Sequence, residues 1–91
     1  MTRRSRSSTS WPDWWDWELE LTPHLEQRME ERDFTELDVR EMLAAATGFA
    51  PDVVEGRFLI ESQLRGRSWH VIVEPDPDEI LLVVVTAYGV G

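Results

Sequence analysis

The sequence contains no cysteine, no lysine and no long apolar run. Without cysteine there can be no disulfide, no zinc–thiolate centre and no thiol nucleophile. The longest apolar stretch, Ile80–Val85, falls far short of the ~20 residues a membrane helix needs, so no membrane association is expected. The two histidines, His24 and His70, lie far apart in the chain, so neither a metal site nor another cofactor is expected. Met1–Ser10 is basic but no apolar segment follows it, so no secretory signal is read and a cytoplasmic protein is expected.

What is present is acid. The 91 residues carry 18 Asp and Glu against 9 basic residues, all of them Arg. Three of those Arg fall within residues 1–10, so residues 11–91 hold 6 Arg against 18 acids, a balance of −12. A domain that binds nucleic acid by net charge alone is therefore excluded. Two origins fit Arg without Lys on an acidic chain. A salt-rich cytoplasm would screen the self-repulsion, as in a halophile. A high-GC genome would favour Arg codons without any physical cause. At this length there is room for one domain with a small core, and the burial must come from five Trp, three Phe and the aliphatic runs.

Thr2–Ser10 is polar and has nothing to bury, so residues 1–10 read as a disordered basic tail. Residues 11–20 form a Trp-rich strap or edge strand. From Trp15 the alternation is strict, with Trp15, Trp17, Leu19 and Leu21 on one side and Asp16, Glu18 and Glu20 on the other. Thr22 followed by Pro23 marks a helix start. Asp33-Phe34 ends that helix, and Thr35 with Asp38 forms a capping box for a second one, which Gly48 is expected to stop. Phe58–Leu64 and Ser68–Glu74 read as strands joined by a tight Arg65-Gly66 hairpin. Pro75–Glu79 reads as a turn, ahead of any cation site at Asp76, Asp78 and Glu79. Ile80–Tyr88 is a central strand, apolar on both faces.

This order predicts an α+β domain over residues 21–91, with two N-terminal helices packed on one face of a three- to four-stranded antiparallel meander sheet. Two short helices can cover only one face of it. The second face needs a lid, either the Trp segment folding back or a second copy in a homodimer.

Thr22 to Glu36, then Gly56-Arg57, then Val84–Tyr88 resemble the domain of unknown function 4258 family in order and spacing. That pattern places a His and an Arg-Met pair with a further Arg on the first helix, Gly-Arg at a strand start and a closing Val-Thr-Ala-Tyr. The family is distantly similar to RelE- and ParE-type toxin folds. The resemblance implies a toxin-like domain whose partners would be RNA or an antitoxin-like protein.

The residues themselves offer one chemical constellation. His24 is the candidate for proton transfer. Arg28 and Arg32 follow it on the same helix face, ~6 and ~12 Å along the axis, where guanidinium forks suit phosphate oxygens. Thr86 and Tyr88 share a face of the last strand and would hold a phosphate or a base. Arg57 offers a further anion contact. A catalytic set of His24, Arg28 and Tyr88, with Arg32, Arg57 and Thr86 binding RNA phosphate, would make a small metal-free endoribonuclease. Each residue also has a plainer reading: a helix-start hydrogen bond for His24, ion pairs with Glu31, Glu36 or Asp38 for the Arg pair, and a core-finishing ring for Tyr88. Arg65 and Arg67 read as a solvated hairpin tip, and His70 as a lone structural histidine. The alternative function is a non-catalytic interaction module in which Trp11, Trp14, Trp15 and Trp17 bind a partner. The acids between those tryptophans favour protein over RNA as that partner.

Overall fold

The computed structural model describes residues 11–90, so the expected tail lies outside the described residues. Pro12 opens a 3₁₀ turn over Asp13–Asp16, closed by Trp15 N–H on the Pro12 carbonyl at 3.0 Å and Trp17 N–H on the Trp14 carbonyl at 3.1 Å. The strand expected from Trp15 therefore begins only at β1, Glu18–Leu21. Coiling has a reason: it stacks Trp11 on Trp15 with centroids 4.5 Å apart. In a strand, four residues of rise would separate the two rings by ~13 Å.

Helix α1 spans Pro23–Arg32, with the Thr22 hydroxyl accepting from Leu25 N–H at 3.1 Å. It ends where Asp33 turns left-handed at φ 58° and sends Phe34 into the core. Helix α2 spans Glu36–Ala44, opened by the reciprocal capping box of Thr35 and Asp38. Asp38 is nearly buried and also takes the Arg65 guanidinium at 2.7 Å, so Arg65 pairs with it while its side chain stays largely exposed at the hairpin tip, as expected.

Gly48 does not cap α2. It starts β2, Gly48–Pro51, a strand with too little alternation to be read from the sequence. A Cβ at Gly48 would lie 3.1 Å from a Glu61 carboxylate oxygen, a close approach that suits glycine. Strand β3 (Phe58–Leu64) and β4 (Arg67–Asp76) meet at Arg65-Gly66, whose φ values of 52° and 79° fit the primed turn of a tight hairpin. β4 runs on through Pro75 and Asp76, so the turn expected from Pro75 begins only at Pro77. Pairing with β3 stops at Val73, so beyond it β4 has an open side where a missing N–H is tolerated. β5 is Leu81–Gly89.

The result is an α+β fold with a five-stranded mixed sheet in the order β1-β5-β4-β3-β2. β1 pairs with β5 in parallel, so the sheet is neither three- to four-stranded nor wholly antiparallel. Parallel neighbours need a long crossover, and here both helices and the other strands supply it.

Leu25, Phe34, Val39 and Met42 from the helical segment pack on Ile60, Leu64, Trp69, Val71, Val73, Leu82, Val84 and Ala87. A bulge in the β4–β5 ladder pairs Ile72 with Thr86 but Val73 with Val84. That extra residue lets Val84 and Ala87 both face the core and sends Thr86 and Tyr88 to the other side. Trp14 packs on Phe58 at 5.0 Å and joins the core on the same face as the helices. The Trp segment is thus no lid for the second face, because its rings are held by this core-face aromatic cluster. Leu59, Ile72, Val83 and Val85 on the outer face carry no helix among the described residues.

Candidate functional site

Thr22 positions the site. Besides capping α1, its hydroxyl reaches the Val85 carbonyl at 3.1 Å, tying the helix start to β5 across 63 positions of sequence. β1 stops pairing with β5 at the Leu21–Val84 partners. From there on β5 has no strand beside it on that side, and α1 borders the space instead. Period-two alternation, set by Val90 N–H on the Ser68 carbonyl at 2.9 Å, directs the Ala87 N–H toward this open edge.

The hollow between α1 and β5 is lined by His24, Arg28, Arg32, Thr86, Ala87 and Tyr88, with a volume of about 270 Å³. Five of the residues singled out from the sequence thus surround one space. His24 and Arg32 are exposed, Arg28 and Thr86 half-buried, and Tyr88 is 37% exposed. Arg28 pairs with Glu31 at 3.2 Å on the open surface, a contact worth little in water. Arg32 has no ion-pair partner among the described residues, since Arg40 takes Glu36 and Arg65 takes Asp38.

Arg57 is not brought there. It binds Glu74 at 3.0 Å and lines a different hollow with Thr22, Pro75, Asp76, Val83 and Val85. Trp11, Trp14, Trp15 and Trp17 lie apart from both, half-buried, with Trp11 and Trp14 against Phe49 at 5.2 and 6.2 Å. Trp15 and Trp17 also wall a hollow of about 200 Å³ with Leu19, Leu43, Leu82 and Arg40. Among the described residues no three His, Asp or Glu side chains gather as a metal site, and no helix is long and apolar enough to cross a membrane.

His70, read from the sequence as a lone structural histidine, lies beside Tyr88. Its ring meets Tyr88 edge to face, centroids 5.5 Å apart and planes at 71°. The hairpin fixes His70 opposite Glu61, which the Arg65-Gly66 turn made readable. Its pairing with Tyr88 depends on β5 and was not.

Residues 21–89, the segment that builds α1, the sheet and the hollow, match the family described as Domain of unknown function (DUF4258). The chain belongs to the DUF4258 family. No curated protein and no solved structure matches it. All five polar residues of the hollow fall inside the DUF4258 segment, whereas the four clustered tryptophans precede it.

Proposed function

We propose that this DUF4258 chain is a metal-free endoribonuclease of the toxin type, acting in the hollow between α1 and β5. The observation that carries the reading is the convergence of an imidazole, two guanidiniums, a threonine hydroxyl and a phenol around one open space. None of these groups is a metal ligand set, but together they match the demands of phosphodiester transfer. His24 takes the proton from an RNA 2′-hydroxyl, whose oxygen attacks the adjacent phosphorus. The P–O5′ bond breaks, and the leaving oxygen takes a proton from Tyr88 or from protonated His24. The products are a 2′,3′-cyclic phosphate and a free 5′-hydroxyl. Arg28 and Arg32 offset the charge that gathers on the phosphorane oxygens, and Thr86 and the Ala87 N–H orient them. Arg57 has no part in this, being engaged with Glu74 elsewhere.

A toxin-type role is also what the sequence's resemblance to a family similar to RelE- and ParE-type folds implies; on this reading RNA is the substrate and an antitoxin-like protein the natural inhibitor. A partner-binding role for the Trp segment is less well supported, because Trp11, Trp14 and Trp15 pack on one another and on Phe49 and Phe58. Purified protein in a chelator should cleave single-stranded RNA to cyclic-phosphate ends, and His24→Ala should slow cleavage by about 10²–10⁴-fold. Equal cleavage by the two proteins would overturn the assignment.

A further inference from the structure

We infer that the outer face of the sheet beside this hollow carries a nucleobase subsite, built from Tyr88, His70 and Glu61, that selects bases bearing an amino group. The inference rests on the RNA reading of the hollow and adds where the base goes and which bases fit.

Three strands contribute one row. Register pairs Tyr88 with His70 and His70 with Glu61, so the three residues stand side by side across β5, β4 and β3. All three face away from the core, since the flanking Ile60, Trp69, Val71 and Ala87 are buried on the opposite side. Strands lie ~4.8 Å apart, so the row extends ~10 Å from the phenol to the carboxylate, about the reach of a base attached to a phosphate in the hollow. Tyr88 belongs to both the row and the hollow, which joins them.

The two rings meet at 71° with centroids 5.5 Å apart, forming a corner. A base stacks on one ring while its edge abuts the other, a sequence-tolerant contact because every base has a π-face. Glu61 then supplies the discrimination. It is exposed, makes no ion pair among the described residues, and lies over Gly48, where no side chain covers it. A carboxylate accepts from the amino groups of cytosine, adenine or guanine, and uracil has none. The same negative charge repels phosphate, which keeps the backbone at Arg28 and Arg32.

Binding of fluorescein-labelled single-stranded ten-residue oligo-A, oligo-C and oligo-U, together with inorganic phosphate binding followed by NMR at the Arg side chains, separates the parts. The wild type should hold oligo-A and oligo-C more tightly than oligo-U. His70→Ala should weaken all three by about tenfold, within the range for one lost stacking contact, and His70→Phe should restore most of it. Glu61→Gln, which can donate as well as accept, should bring oligo-U close to oligo-A. Phosphate binding should be unchanged in each variant. Oligonucleotide binding identical to wild type in His70→Ala and Glu61→Gln overturns the subsite while leaving the cleavage reading intact. Base-selective binding without any cleavage supports the subsite and overturns the cleavage step, and no binding at all overturns both.

Discussion

Asp38 shows how one carboxylate can serve two neighbours. The Thr35 N–H donates to it at 3.0 Å and the Arg65 guanidinium at 2.7 Å. The Thr35 bond foremost, with Arg65 adding to it against the effect of burial, holds the carboxyl below its ordinary value of 3.8. A depressed folded-state pKa means the charged form stabilises the fold above the unfolded value. That contribution is lost as pH falls from about 4 through the lower folded value. Urea midpoints for the wild type should therefore drop between pH 6 and pH 3. Asp38→Asn should start from a lower midpoint and lose less over that interval. A parallel loss in both proteins would show that other carboxylates govern the acid limb. The capping role of Asp38 was visible in its spacing from Thr35, but the Arg65 contact was not, because it joins a helix start to a hairpin 27 positions away.

At the scale of elements, α1 leans on its N-cap, because its apolar face buries only Leu25 fully. Thr22 caps the helix and bonds to β5, so Thr22→Val keeps the β-shape and removes both contacts. Loss of an N-cap costs about 0.5–2 kcal/mol, and the unfolding free energy in urea should fall by at least the middle of that range. Because the same hydroxyl anchors α1 against β5, RNA cleavage should also fall in Thr22→Val under conditions where the variant is fully folded. A variant with reduced stability but unaltered cleavage would show that the hollow is assembled without this tie. The helix start was legible because Thr-Pro acts locally. The Trp segment misled for a related reason: Trp15, Trp17, Leu19 and Leu21 alternate as a strand should, yet stacking of Trp11 on Trp15 rewards coiling, and only the last four residues pair. β2 left no periodic trace because it is four residues long, begins with glycine, ends with proline, and is largely exposed.

For the molecule as a whole, the formal charge of −9 sets the terms on which RNA can bind. At the hollow, attraction comes from the Arg28–Arg32 stripe against an acidic background. Two phosphate contacts on single-stranded RNA give a salt slope of about −1.4 in log K against log salt, at ~0.7 per contact. Anisotropy titrations of oligo-A from 50 to 300 mM salt should show that modest slope, and Arg32→Ala should roughly halve it; a flat response in both would remove the guanidiniums from binding. The sequence by itself determined the two helix N-caps, the hairpin turn, the central β5 and the helical face carrying His24, Arg28 and Arg32, because each follows from neighbours a few residues apart. Tertiary structure decided that β1 runs parallel to β5, that a bulge turns Thr86 and Tyr88 away from the core, that Arg57 leaves the site, and that His70 joins Tyr88. Those outcomes depend on which strands lie side by side, and the pairing energy that selects them is shared among residues separated by most of the chain.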